Sequence, residues 1–248
     1  MSAREPGSCL QISGERRMAI TIAAIAAESS EATNRDIMSA KEKNAAAKQT
    51  YSFLAPLTND HEIIKKRKTM ELLDFYKGKR VLVTGDTGFK GSWLVRILHL
   101  AGAEVTGYAL KAPTEPSMFE ILHLGETIHH VDGDVRDFAH LKQVFDETKP
   151  EIVLHLAAQP IVRESYRDPV GTYAANVMGT VHVLECARQC ESVRSLVNVT
   201  TDKVYENKEW EYGYRENDPL DGYDPYSNSK SCSELVTHSY KQSFFTDG

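Results

Sequence analysis

The chain has 248 residues, 26% of them charged and 41% hydrophobic, with a formal net charge of −6. That is long enough to bury a full core, and the acidic balance excludes an extended nucleic-acid footprint. No stretch reaches the roughly 18 apolar residues of a membrane span. The four cysteines (Cys9, Cys186, Cys190 and Cys232) form neither a CxxC nor a metal-ligand spacing, so buried thiols and a reducing, cytoplasmic setting are expected.

Residues 1–69 are rich in Ala, Ser, Lys and Glu without sustained periodicity, and read as a poorly structured leader. Within them, Met18 to Ala27 (MAITIAAIAA, after Arg16-Arg17) is similar to the core of an export signal but starts late. A short amphipathic or disordered leader is expected instead. The run Lys65-Lys66-Arg67-Lys68 has the composition of a nuclear address and reads as a solvated linker. Composition changes at Met70, so residues 70–248 are expected to form one domain. The leader is then either an appended tail or an upstream extension of the reading frame.

From Arg80 the pattern is regular. Arg80 to Thr84 (RVLVT) predicts a buried parallel strand, and Gly91 to Ala101 a helix through Leu94, Ile97 and Leu98, stopped by Gly102. Strands follow at Glu104–Tyr108 and Ile128–Val131, a helix at Phe138–Thr148 and a strand at Glu151–Leu156. A long helix over Thr172–Gln189, with Cys186 and Cys190 four apart, leads to a fifth strand at Arg194–Val199. A loop rich in Tyr, Asn, Asp and Pro then precedes a helix over Tyr226–Ser243. Strand and helix alternating at this pitch predict an α/β fold, a Rossmann-like doubly wound parallel sheet with helices on both faces.

Strand, turn and helix meet at Gly85-Asp86-Thr87-Gly88-Phe89-Lys90-Gly91, spaced G-x-x-G-x-x-G. Glycine serves where the backbone turns sharply or must approach a pyrophosphate closely, and the helix that follows aims its N-terminal amides at the phosphates. Dinucleotide binding by Gly85, Thr87, Gly88, Phe89, Lys90 and Gly91 is therefore expected. The spacing resembles the extended short-chain dehydrogenase/reductases. That resemblance places Asp134 and Val135 at the adenine, lines the cofactor with Leu156, Ala157 and Ala158, and makes Asn176 the structural asparagine of the long helix. One departure stands out. The second strand runs into Leu110-Lys111 with no acid to grip a ribose 2′-hydroxyl, and Lys111 would accommodate a 2′-phosphate.

Tyr226-Ser227-Asn228-Ser229-Lys230 is Y-x-x-x-K, which puts both reactive side chains on one helix face. An ammonium close to the phenol is expected to favour phenolate, and Lys230 can also hold the nicotinamide ribose. Thr201 adds a hydroxyl beside a substrate alcohol, completing a set for oxidation. Asp202 and Lys203 are surplus to oxidation. Once a hexose is oxidised at C4 its C5 proton is acidic, and an adjacent acid and base are what loss of the C6 hydroxyl as water requires.

With this pair the chain resembles the nucleotide-sugar 4,6-dehydratases, through GDTGFKGSWL (85–94), APTEPSMFE (112–120), HLAAQPIVRESYRDPVGTYAANVMGT (155–180), TTDKVYENKEWEYGYREND (200–218) and GYDPYSNSKSCSELV (222–236). Asp-Lys after the threonine, where the dTDP-glucose group has Asp-Glu, is similar to the CDP-glucose group. The resemblance implies tightly held NAD, CDP-glucose as substrate, CDP-4-keto-6-deoxyglucose as product and a role in surface polysaccharide synthesis. It implies oxidation by Thr201, Tyr226 and Lys230, with Asp202 as acid toward the C6 hydroxyl. Lys203 is the C5 base in neutral form, the group that positions one, or a charged group stabilising the enolate. Gln159, Arg163, Asn207 and Arg215 are the expected sugar contacts, with paired surface polar groups as the alternative reading of the last three, and a homodimer through helices of the cofactor domain is implied.

Chains of this kind continue well past the Tyr/Lys helix, whereas here the sequence stops at Gly248. The domain is therefore expected to lack most of its substrate-gripping part, leave its last strand open and turn over poorly. Another nucleotide-sugar epimerase or dehydratase, or an inactive cofactor-binding remnant, are the alternative expectations.

Overall fold

The structure, a computed structural model, describes residues 73–245. The expectations for residues 1–69, including the apolar and basic runs and Cys9, lie outside the described residues. Five parallel strands form one sheet in the order β3-β2-β1-β4-β5, with β1 at Arg80–Thr84, β2 at Glu104–Ala109, β3 at His129–Asp132, β4 at Ile152–His155 and β5 at Ser195–Asn198. The helices are α1 (Phe89–Leu100), α2 (Met118–Ile121), α3 (Leu124–Thr127), α4 (Phe138–Thr148), α5 (Val162–Arg167), α6 (Pro169–Tyr173), α7 (Gly179–Gln189) and α8 (Pro225–Phe244). None among the described residues is long and apolar enough to cross a membrane. The doubly wound α/β fold expected from the sequence is the one observed.

Burial explains why the strand runs are so apolar. Val81 and Val83 pack with Leu94, Val95 and Leu98 of α1 on one face, while Leu82 meets Val144, Phe145 and Val183 on the other. Successive side chains of a strand point to opposite faces, so a strand covered on both sides carries apolar residues throughout. Among the described residues β5 pairs with β4 alone, at the sheet edge, and its Leu196, Val197 and Asn198 are half-buried.

The predicted long helix is present but not uniform. α6 runs into a π turn at Ala174–Met178 and on into α7 with helical backbone throughout. A π turn adds a residue to one turn and re-aims the side chains on it; Asn176 in this turn is fully buried. Cys186 is buried in α7, whereas Cys190 caps that helix and is half-buried. The short helices α2, α3 and α5 were not anticipated, because four to six residues are too few to show a 3.6-residue period.

Because all the strands are parallel, their C-terminal ends share one edge. Chain order reverses between β1 and β4, which opens the crevice where such sheets bind ligands.

Candidate active site

At this crevice the backbone leaves β1 through Gly85, whose φ of 80° favours glycine. A Cβ on Gly85 would lie 2.7 Å from the Ala157 amide nitrogen, and one on Gly91 would lie 2.0 Å from the Gly85 carbonyl oxygen. Gly88 caps α1 without any side-chain hydrogen bond, so the first amides of the helix face the crevice uncovered by a side chain. Such open amides and absent side chains fit a pyrophosphate, so this loop could hold a dinucleotide. Thr87 donates to the Leu110 carbonyl at 2.8 Å, tying the loop to the end of β2, while Phe89 and Lys90 are exposed.

Asp86 is fully buried beneath the loop. Its Oδ2 lies 2.7 Å from Nδ1 of His130 on β3, and its Oδ1 has no hydrogen-bond partner. The carboxylate occupies the space that a side chain on Gly107 would need, where a Cβ would come within 2.1 Å of Oδ2. The hydrogen bond that His130 donates to Asp86 raises the His130 pKa against the opposing effect of burial. Thr87, Lys111, His130 and Asp132 share the lining of a hollow of about 510 Å³ at the ends of β2 and β3. Asp134 is held by Arg136, whose Nε donates to it at 2.9 Å, and the Arg136 hydrogen bond keeps its carboxyl below the usual range despite burial. The neighbouring Val135 packs in the core, where a Cβ on Gly179 would meet it.

Helix α8 begins at Asp224-Pro225, the pairing of an acceptor cap with proline in the first turn. Asp224 accepts from the Ser227 amide at 3.0 Å and the Ser227 hydroxyl at 2.6 Å. This fixes the turn that carries Tyr226. Lys230, one turn on, is 3% exposed and donates to the Val199 carbonyl at 3.0 Å. Burial pulls its pKa down to about 8, although Glu234 opposes the change.

Thr201 caps a short 3-10 turn, Asp202–Val204, accepting from the Lys203 amide at 3.4 Å and donating to Asp202 Oδ1 at 3.0 Å. Burial raises the Tyr226 pKa and so do the Asp202 and Asp224 charges, while a hydrogen bond with Thr201 lowers it. The expected help from Lys230 differs in the structure, where its ammonium is turned to the Val199 carbonyl. Asp202 and Lys203 are exposed at the crevice mouth, and the Lys203 charge also bears on Asp224. The structure thus brings Thr201, Asp202, Lys203, Tyr226 and Lys230 together from two separate segments.

The segment after β4 is organised by Asn176, which accepts from the Gln159 amide at 2.7 Å and donates to the Gln159 carbonyl at 3.0 Å and to Ser229 of α8 at 2.9 Å. Leu156, Ala157 and Ala158 lie half-buried along this segment. Gln159 itself is engaged within the loop, donating to Thr172 and accepting from the Ile161 amide. Asn207 is likewise bound locally, accepting from the Glu209 amide and the Tyr214 hydroxyl. Arg163 lies exposed on α5, and Arg215 lies exposed on the loop between the 3-10 turn and α8. The four expected sugar contacts are therefore dispersed, and two of them hold loops in shape.

Sequence reasoning missed the stack of Tyr205 on Tyr214, 5.3 Å between centroids with Trp210 alongside, which organises the same loop. It also missed the Asp86–His130 pair and the hydrogen-bonded His155 beneath the site. The Asp-Pro before Tyr226 was the one signal in the sequence for where α8 starts.

Comparison with known proteins agrees with this geometry. The family described as GDP-mannose 4,6 dehydratase matches residues 82–246. CDP-glucose 4,6-dehydratase of Salmonella typhimurium is 57% identical over 172 residues, covering 69% of this chain and 48% of that protein. UDP-glucose 4-epimerase of Mycolicibacterium smegmatis is 32% identical over 68% of this chain and 53% of its own length. Among solved structures, dTDP-glucose 4,6-dehydratase from Streptomyces venezuelae with NAD bound superposes with a TM-score of 0.60 at 32% identity, over 68% of this chain and 53% of that one. The Thermus thermophilus UDP-glucose 4-epimerase complex with NAD gives 0.59 at 33% identity, over 66% and 51%. The chain spans about half the length of the curated relatives it matches. With more than half of its residues inside the matched region, the chain belongs to the GDP-mannose 4,6 dehydratase family.

Proposed function

We propose that this chain carries the cofactor-binding and reacting groups of an NAD-dependent CDP-glucose 4,6-dehydratase. The observation behind this is the meeting of an oxidation set (Thr201, Tyr226, Lys230) with an exposed acid–base pair (Asp202, Lys203) at the open edge of the sheet. The likeness to the Salmonella typhimurium CDP-glucose enzyme supports the choice of substrate. NAD, when bound, would supply the acceptor for hydride from C4 of the sugar and the donor for its return to C6. Gly85, Gly88 and Gly91 leave room for its phosphates, and Thr87 ties that loop to β2.

Tyr226 takes the proton of the C4 hydroxyl, and the Thr201 hydroxyl favours the phenolate once it turns its one proton from Asp202 to the phenol oxygen. Lys230 fixes the reacting helix to the end of β5. Asp202 protonates the C6 hydroxyl as water leaves. Lys203 either takes the C5 proton in neutral form or, charged, stabilises the enolate while solvent water at the exposed pair takes that proton. Elimination requires both partners of the pair, which a plain 4-epimerase does not need.

A panel of CDP-, dTDP-, GDP- and UDP-sugars, incubated with the chain and NAD, tests this by the near-UV absorbance of a 4-keto-6-deoxy product. Product from CDP-glucose supports the proposal. Product from another donor moves the chain to another branch. Silence with every donor, together with retained NAD binding, favours a cofactor-binding unit as the second reading.

A further inference from the structure

His155 ends β4 directly beneath the crevice, 1% exposed, and none of the steps above uses it. It lies in register with Thr84 of β1 on one side and Asn198 of β5 on the other. Its two ring nitrogens have different partners. Nδ1 is 2.7 Å from the Thr84 hydroxyl, and Nε2 is 3.3 Å from the Thr180 hydroxyl of α7.

The proton positions follow from the acceptors around them. Thr180 donates to the Asn176 carbonyl at 2.7 Å, and a carbonyl can only accept, so the Thr180 proton is committed there. Its oxygen must then accept from both neighbours, from His155 Nε2–H and from the Ser233 hydroxyl at 2.9 Å. A neutral imidazole protonated at Nε2 accepts at Nδ1, so Thr84 donates to it, while the Thr84 oxygen accepts from the Ala157 amide at 3.2 Å. Beyond Ser233, the Asn198 amide donates to Ser233 and to Thr237 of α8, both at 2.9 Å. Each donor in this chain finds one acceptor, and no proton is used twice.

The ends of the chain of bonds matter most. Thr84 immediately precedes Gly85, and Ala157 carries the amide that stands against Gly85, so one end sets both walls of the phosphate cradle. Ser233 lies one turn beyond Lys230 on the helix that carries the reacting tyrosine. Resting on the reading of these two parts as cofactor cradle and reaction centre, we propose that His155 is a positioning residue. Held as the neutral Nε2–H tautomer, it fixes helix α8 relative to the glycine loop through Thr84 on one side and Thr180–Ser233 on the other. Burial, reinforced by the Lys230 charge, depresses the His155 pKa to about 3, which agrees with an imidazole that never takes up a second proton in use. A histidine that only filled the core would need partners, but not partners at both ends of the site.

The test uses the full chain. A long-range nitrogen–proton correlation spectrum of histidine-labelled protein should contain one imidazole, absent from His155→Leu, with its proton on Nε2 and no titration between about pH 5.5 and 8.5. NAD titration then probes the coupling. Thr180→Val, whose position touches neither Gly85 nor Ala157, should weaken NAD binding about five- to ten-fold, in step with His155→Leu. Val183→Ala, a core truncation on the same helix, should lower the melting temperature and leave NAD affinity within about two-fold of wild type. An Nδ1–H tautomer, a titrating His155, or a Thr180→Val protein that binds NAD like Val183→Ala overturns the proposal. Should His155→Leu fail to fold, the wild-type spectrum (assigned with His155→Gln) and Thr180→Val decide it. A wild-type chain that does not bind NAD overturns the functional reading and the cradle half of this one, while the tautomer still decides the bond assignment.

Discussion

The ammonium of Lys230 donates to the carbonyl of Val199 at 3.0 Å, joining the reacting helix to the strand end that leads into Thr201. Its burial has a measurable consequence. The folded pKa of about 8 lies below the ordinary value near 10.5, so between these two the unfolded chain binds a proton that the folded chain does not. The Lys230 contribution to stability is therefore expected to rise with pH from about 8 toward 10, by up to about 3 kcal/mol, while the Cys186 thiol, which burial pushes up to about 12, contributes with the opposite sign. The difference between wild type and Lys230→Met in urea unfolding across that range should isolate the rise.

The Asp86–His130 pair predicts the opposite trend at lower pH. His130 is raised above its ordinary 6.5, with the Asp86 hydrogen bond as the main cause. Its contribution is present in full below that value and is lost as pH rises through the folded pKa. His130→Ala leaves a fully buried carboxylate without its partner and should cost about 3 kcal/mol or more in unfolding measurements. Asp86→Asn, which removes the buried charge, is expected to cost less and to weaken the pH trend, leaving the part that Asp132 contributes.

Two glycines of the same loop should separate folding from cofactor binding. A methyl at Gly91 meets the Gly85 carbonyl at 2.0 Å and forces the backbone to move, whereas at Gly88 it reaches that oxygen at 3.4 Å, an ordinary contact. Gly91→Ala is expected to destabilise by about 2 kcal/mol or more. Gly88→Ala should melt near the wild-type temperature yet bind NAD at least about ten-fold more weakly, since the methyl stands where the phosphates approach the helix. Paired calorimetric melting and NAD titration check both.

Lys203 and Asp202 are exposed, so their removal should spare the fold. Lys203→Ala and Asp202→Asn are expected to melt within about 0.5 kcal/mol of wild type. With CDP-glucose as substrate, each should lower formation of the 4-keto-6-deoxy product about 10²- to 10⁴-fold. Solvent hydrogen incorporation at C5 divides their roles. Lys203→Ala should suppress it, whereas Asp202→Asn, acting at the departing hydroxyl, should leave more of it.

Much of this architecture was legible in the sequence because its signals are local. RVLVT followed by three spaced glycines can be little else than a buried strand entering a ligand loop, and Tyr226 with Lys230 declares a shared helix face. The less visible parts depend on register between distant segments. Asp86 meets His130 across 44 residues of sequence because β2 and β3 pair with Tyr108 beside Val131, a relation no local pattern encodes. The π turn escaped notice because its residues are ordinary helix formers, and the change lies in which carbonyl each amide chooses. Gln159 reads as a substrate contact in the sequence; that its amide also bonds Thr172 and the Ile161 backbone depends on a loop conformation no local pattern encodes.

Gly107 carries a consequence beyond its own strand. It sits in the middle of β2, touches no reacting group, and owes its identity to the Asp86 carboxylate lying across it. Positions 86, 107 and 130 therefore form one packing unit. A side chain at 107 evicts the acid, loss of the acid leaves the histidine only its longer contact to Asp132, and loss of the histidine leaves the acid unpaired. Attempts to retune this chain toward another dinucleotide by installing a new residue near the end of β2 will succeed or fail as a triple exchange, not as a single substitution.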